Sequence, residues 1–330
     1  MRILYSLVAV LLLVTIPFIG ILGLGLDYVF GVVLPYLAVV VFLVGMVYRV
    51  VKWGRAPVPF HVPTVAGQQK SLPWIKSSST ESPTSTLGVI GRMALEVLFF
   101  RSLFRHDRVD LEKPRQLTYR AKRFLWLGGL AFHWSLLTIL FRHSRFFLEP
   151  VPGVVTFVRE VDGILQQPWP LLYITDFVIV AALTYLFLRR VIYPRTRYIS
   201  LFADYFAVLL IFGIVLSGIL MRLVFKTDLV AVKEMAMSVV TFGPTVPEGI
   251  GPAFYVHLFL VCTLLVYFPF SKLVHMAGVL MSPTRNLKND SRAHRHVNPW
   301  NRPVPVHTYE EWENEFREVI AKAGLPLEKE

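Results

Sequence analysis

Cysteine is almost absent from this 330-residue chain, with Cys262 the only one. A lone cysteine excludes an internal disulfide, a cysteine-ligated iron–sulfur cluster and a covalently attached c-type haem. Any redox cofactor must then be held by other ligands, and Cys262 itself reads as a small buried apolar residue. Charge is scarce too. Charged residues make up 17% of the chain, against about a quarter in ordinary soluble domains. Acidic residues are the scarcer sign, 22 against 34 basic, and the net charge is +12. Beside long apolar blocks, such an excess reflects cytoplasmic loops of a membrane protein, so no nucleic-acid partner is expected. No internal repeat is found. What is present is apolar: 55% of residues, with 25 Phe, 13 Tyr and 7 Trp, which excludes disorder.

The apolar residues fall in blocks, and crossing a bilayer takes roughly 20 of them. Six segments qualify, near 3–25, 28–51, 122–142, 170–190, 199–222 and 253–281, which predicts an all-α integral membrane fold with six transmembrane helices. The first follows Met1-Arg2-Ile3, is too long for a signal peptide and lacks a cleavage site, so it reads as a retained helix. Basic residues crowd the stretch from Lys52 to Arg123, the turn holding Arg189, Arg190, Arg195 and Arg197, and the tail. The other loops are mixed or acidic. Basic loops stay inside, so both termini are expected on the cytoplasmic side of the cell membrane. Between spans, 66–86 reads as a Gly/Ser/Thr/Pro linker. An interfacial helix is expected at 87–104, and a similar amphipathic stretch, Thr227–Phe242, on the outer side. The polar tail carries one helix, Thr308–Ala323, with Thr308 as cap and Glu311 three residues on.

Four of the nine histidines lie in or at the ends of apolar spans: His133 and His143 on the third, His257 and His275 on the sixth. An ionisable group within lipid is costly and usually functional. The other five, His61, His106, His294, His296 and His307, read as solvated or partner-facing surface. The first pair is ten residues apart, about 15 Å along a helix, and the second eighteen, about 27 Å. Eighteen residues make five whole turns, whereas ten fall about 80° short of three. The two spans run oppositely. His143 and His257 should therefore meet near the outer surface, and His133 and His275 nearer the cytoplasm. Two imidazoles from facing helices suit one low-spin haem iron, and two haems would form an electron wire across the bilayer. The unequal intervals do not match for straight parallel helices, and Pro269 offers a kink. Proton relay or packing remains the competing reading of these histidines. Zinc is disfavoured, because no cysteine or carboxylate accompanies them.

Tyr267–Met276 (YFPFSKLVHM) resembles the histidine-bearing end of the last helix in the gamma (cytochrome b) subunit of respiratory nitrate reductase. Ser238–Phe242 (SVVTF) is similar to that family's outer amphipathic segment. Tyr193–Arg197 (YPRTR), followed by Asp204, is similar to its cytoplasmic turn. The resemblance covers roughly residues 30–285 and includes the ten- and eighteen-residue histidine spacings. It implies a helical bundle with two stacked b haems, His143 with His257 binding the outer and His133 with His275 the inner. The tail 298–327 (NPWNRPVPVHTYEEWENEFREVIAKAGLPL) departs from that family. It resembles the tail of the DsrM-type membrane cytochromes b of the DsrMKJOP complex in sulfate- and sulfur-metabolising microbes. That implies a DsrK-type cytoplasmic iron–sulfur partner beside cytochrome c, iron–sulfur and quinone-interacting membrane subunits of the complex.

Four regions follow: 1–52, two N-terminal spans; 53–121, a cytoplasmic loop; 122–281, a four-helix haem-binding core; and 282–330, a tail docking a partner. The wire needs a lipid-soluble donor or acceptor, and the resemblance puts a menaquinone site beside the outer haem. Arg142, Arg145, Arg159, Glu160 and Asp162 cluster on that side. Arginine suits a propionate or a quinone carbonyl, and a carboxylate can take up or release the quinol proton. Where nitrate-reductase relatives carry a small residue before the outer histidine, this chain has Arg142. The expected function is a dihaem b-type subunit exchanging electrons between menaquinone and a DsrK-type subunit in sulfur-metabolism respiration. The alternatives are the cytochrome b subunit of a heterodisulfide or nitrate reductase, and a haem-free anchor or proton-relay protein.

Overall fold

The computed structural model describes residues 1–56, 78–105, 107–113, 116–121, 123–165, 172–282, 285–290 and 306–328. Most of the expected linker lies outside them, as do His61, His106, His294 and His296. In chain order the elements are α1 (Arg2–Leu24), α2 (Leu34–Gly54), α3 (Thr86–Phe99), α4 (Arg101–Phe104), β1 (Asp107–Lys113), β2 (Gln116–Ala121), α5 (Arg123–His143) and α6 (Gly153–Asp162). Then come β3 (Gly163–Leu165), β4 (Leu172–Tyr173), α7 (Ile174–Ile192), α8 (Pro194–Ile199), α9 (Phe202–Leu223), α10 (Leu229–Val240), α11 (Pro252–Tyr267), α12 (His275–Gly278) and α13 (Tyr309–Lys322).

Five helices among the described residues are long and apolar enough to cross a membrane: α1, the run from Val29 through α2, α5 with its 3₁₀ extension to Phe146, α9, and α11 to Phe270. The chain is thus a helical, multi-pass membrane protein. The segment expected near 170–190 is helical as α7, but Asp176, Arg189 and Arg190 fall within it, and it is not one of the five. The outward faces of the helices stay apolar: Leu11, Leu12 and Ile19 on α1 and Val40 and Val44 on α2 are all exposed. Such contiguous apolar surface is what a lipid environment covers.

α5 packs on α7, α7 on α9, and α9 on α11; α11 also packs on α1 and α2, and α1 on α9. Three apolar clusters fill the joints. Ile179, Leu183 and Ile211 lock α7 to α9. Val10, Phe206, Leu210, Val256 and Leu260 join α1, α9 and α11. Phe30, Val232, Met235, Phe254 and Tyr255 seat α10 against one end of the bundle.

The sixth segment is not the continuous helix expected over 253–281. α11 stops at Tyr267, and Phe268–Phe270 and Lys272–Val274 are single 3₁₀ turns joined by an extended Ser271 (φ −111°, ψ 178°). Pro269 is the cause, since it has no N–H for the helix ladder and its ring clashes with the preceding turn. α2 holds the break. Arg49 Nε donates to the Pro269 carbonyl at 3.1 Å, and Gly45 admits the proline ring beside it. The region expected to be loop between α4 and α5 contains an antiparallel hairpin, β1 paired with β2 from Asp107↔Ala121 to Lys113↔Gln116. The interfacial helix expected at 87–104 is two helices, α3 and α4, with a left-handed Phe100 between them. The tail helix has its capping box: Glu311 N donates to Thr308 Oγ1 at 3.2 Å, and Thr308 N to Glu311 Oε2 at 2.8 Å.

Candidate functional site

α5 and α11 are not a close-packed pair; each leans on other helices and they face one another through histidines. At one end of the bundle His143 and His257 have ring centroids 6.5 Å apart and planes 18° apart. Further along, His133 and His275 stand 6.0 Å apart with planes crossed at 81°. The break after Tyr267 makes this possible, because His275 need not lie 27 Å up one straight rod from His257. The expected length mismatch is absorbed where the helix stops.

Each ring is held by its Nδ1. On α5, His133 and His143 bond the carbonyls of Gly129 and Ile139, one turn back, both at 2.7 Å. His275 bonds the Lys272 carbonyl at 2.9 Å. His257 reaches across to α9, to Ile214 O at 3.1 Å and Ser217 Oγ at 3.0 Å. An Nδ1–H given to a carbonyl fixes the tautomer that leaves Nε2 with its lone pair, as in metal-ligating histidines. Metal–nitrogen bonds of about 2.0 Å on both sides of one metal would set ring centres roughly 6.3 Å apart. The two observed separations bracket that value. Among the described residues no group of three or more His, Cys, Asp or Glu could hold a bare metal ion. Two imidazoles on opposite sides of one metal fit haem, whose macrocycle supplies the other ligands.

Of the five residues expected on the quinone side, the structure brings two together. Arg142 and Asp162 are each 6% exposed, with Arg142 Nε 3.0 Å from Asp162 Oδ2. Thr175 at the start of α7 completes the knot. Its N–H and hydroxyl donate to the two Asp162 oxygens at 2.9 and 2.7 Å, and Arg142 Nη2 donates to Thr175 Oγ1 at 3.2 Å. The Arg142 guanidinium lies 3.5 Å from the centre of the Tyr173 ring, and Arg222 of α9, paired with Asp176, lies 4.7 Å from it. Two cations thus share one aromatic face system, and two carboxylates neutralise them. Arg145 is half-buried against Phe146. Arg159 is half-buried and Glu160 exposed, and neither joins the knot.

At the other end Asp204 is the hub. It accepts from Leu201 N at 2.9 Å, capping α9, and from Lys272 Nζ at 2.8 Å, so the segment bearing His275 is tied to α9. Reading the sequence alone did not single out Tyr173, Thr175, Ser217 and Gly218. A Cβ at Gly218 would lie 3.3 Å from Cε1 of His257, so only a glycine lets α9 approach that ring without displacement. The adjacent Ser-Gly pair in an otherwise bulky apolar helix was the available signal.

The profile of the family described as nitrate reductase gamma subunit matches residues 88–293, more than half of the chain, and the chain belongs to that family. The match runs from within α3 through α12 and leaves out α1, α2 and α13. An Hdr-like menaquinol oxidoreductase cytochrome b-like subunit of Archaeoglobus fulgidus is 48% identical over 282 residues, 83% of this chain and 84% of that protein. The protein of the same description from Archaeoglobus profundus is 40% identical over 282 residues, 83% of each. Both likenesses accord with the DsrM-type resemblance of the tail.

Proposed function

We propose that this member of the nitrate reductase gamma subunit family is a dihaem b-type membrane subunit. In this reading it exchanges electrons between the menaquinone pool and a cytoplasmic iron–sulfur partner of the heterodisulfide reductase-like, DsrK type. One observation carries it: two histidine pairs, each with ring centres about one bis-imidazole metal apart and every Nδ1 bonded to a backbone carbonyl. His143 and His257 would hold the outer b haem, and His133 and His275 the inner. A haem with two neutral imidazoles supplies one-electron transfer with little change at the metal. The names of the relatives, menaquinol oxidoreductase and cytochrome b-like, support the same reading.

The chain's own residues do the rest. The carbonyls of Gly129, Ile139, Ile214 and Lys272 hold the imidazoles in the ligating tautomer. Arg142, Asp162 and Thr175 wall the outer end, one residue from His143. Arg145, Arg159 and Glu160, less buried, are the groups there able to meet a quinone oxygen or take its proton. α7 serves as the sixth span, its end charges in the headgroup regions and the basic turn at Arg195 and Arg197 on the cytoplasmic side. Both termini then lie in the cytoplasm. α13 carries Trp312, Phe316 and Val319 exposed along it, and we assign this helix to docking the iron–sulfur subunit of a DsrMKJOP-type assembly.

The pyridine haemochrome assay tests this directly. The purified chain should carry about two b haems, as expected from its two bis-histidine sites. His143→Ala or His257→Ala should remove one, and His133→Ala or His275→Ala the other. Full haem content in all four variants, or a colourless folded protein, would overturn the reading.

A further inference from the structure

The joint between α3 and α4 is built in an unfavourable way. Phe100 stands at φ 51°, ψ 46°, a left-handed conformation that glycine adopts freely and a phenylalanine does not. Several contacts hold it there. α5 lays two tryptophans across the end of α3: Trp126 Nε1 donates to Phe99 O at 2.7 Å, and Trp134 Nε1 to Leu98 O at 3.0 Å. Phe100 N bonds Glu96 O at 3.1 Å, while the Glu96 carboxylate takes the Ser102 N–H and hydroxyl at 3.0 and 2.6 Å. Phe104 packs edge-on against Trp126.

The clamp delivers one ring to one place. Phe100 meets the His133 ring edge-to-face, centroids 4.9 Å apart at 84°, and Phe132 meets the same imidazole at 4.8 Å and 76°. His133 is thus gripped between two phenyl rings as well as by its Nδ1 bond. Among the described residues His143 has a looser phenyl contact, Phe146, tilted at 5.9 Å. The two pairs also differ in the angle between their rings, crossed at 81° beside Phe100 and near-parallel at 18° beside Phe146. Strain at a non-glycine residue persists only where the surrounding contacts hold it, and such positions cluster at functional sites.

We propose that Phe100 is a positioning residue that fixes the rotation of the His133 imidazole and so keeps the inner ligand pair crossed. The inference rests on the haem reading above. Crossed axial imidazoles leave two iron d orbitals nearly equal in energy and give a strongly anisotropic low-spin ferric signal. Parallel ones separate those orbitals and give a rhombic signal.

Electron paramagnetic resonance of the oxidised full-length protein, with haem content measured beside it, is the test. The wild type should show both signals, with His133→Ala removing the anisotropic one. Phe100→Gly relieves the backbone and removes the ring; it should melt no lower than Phe100→Ala, yet both should move the anisotropic signal toward the rhombic form. The rhombic signal and the haem count should stay unchanged. Phe100→Tyr keeps the ring and should keep the wild-type spectrum. Trp134→Phe removes one clamp and should shift the same signal in the same direction. An unaltered anisotropic signal in both Phe100→Gly and Phe100→Ala would overturn the role of Phe100 while leaving the haems in place. So would both signals moving together. A wild type with no haem signal would overturn the functional reading and this assignment with it.

Discussion

Arg142 sits one residue before His143, and its guanidinium is buried against Asp162, Thr175 and the ring of Tyr173. Removing one partner of a buried pair strands the other charge, at a cost of about 3–5 kcal/mol. Arg142→Ala should therefore lower the melting point of the detergent-solubilised protein sharply. Arg142→Leu combined with Asp162→Leu should recover much of the loss, because the costly element is the unpaired charge. The four histidines were legible in the sequence because an ionisable group stands out in an apolar run. Phe100 was not, since a phenylalanine among apolar neighbours carries no chemical mark; only its backbone dihedrals and distances give it meaning. Arg159 and Glu160 share with Arg142 the outer side that the charge pattern predicts. The fold separates them by burial.

Helix ends and breaks decide how the elements meet. The capping box of α13 and the amphipathic α10 follow directly from residue pattern. The fate of the sixth segment did not, because a proline in an apolar run can kink a helix or end it, and the choice here depends on α2. A Cβ on Gly45 would lie 2.8 and 2.9 Å from the Pro269 ring, which cannot rotate away. Gly45→Ala should thus push α2 off the break and loosen His275, despite the better helix propensity of alanine. On the dihaem proposal, heating with absorbance recorded in the haem bands should show half of the signal lost early. Gly91→Ala on α3 is the contrast. Nothing lies within 4 Å of that position, so the same change should stabilise by about 0.5–1 kcal/mol. The β1–β2 hairpin is hidden in the sequence because the charges in and around its strands read as cytoplasmic loop.

Across the whole molecule, the distribution of basic residues predicts an orientation that a reporter can test. Alkaline phosphatase fused after residue 330 should be inactive, and fused after residue 245, in the loop following α10, active. The reverse pattern would invert the assignment of outer and inner haem. The apolar blocks gave the helix count to within α7, whose terminal charges lie between a span and its loops. Packing, by contrast, is written in no single segment. Which helices touch follows from small residues and from joints such as the Phe206–Leu260 cluster, where three chain-distant stretches share one core.

Pro269 has one more effect. Because regular winding ceases at Tyr267, the stretch that supplies both its histidines behaves as two mechanical parts. The first is clamped by α1, α2 and α9 along its length; the second hangs from Lys272 on Asp204 and from Arg49 on the proline carbonyl. A displacement at the His275 end is taken up at the joint instead of being transmitted as a rod would transmit it. A shift at Lys272 or Arg49 can then disturb the crossed His133–His275 pair while His143 and His257 stay in register.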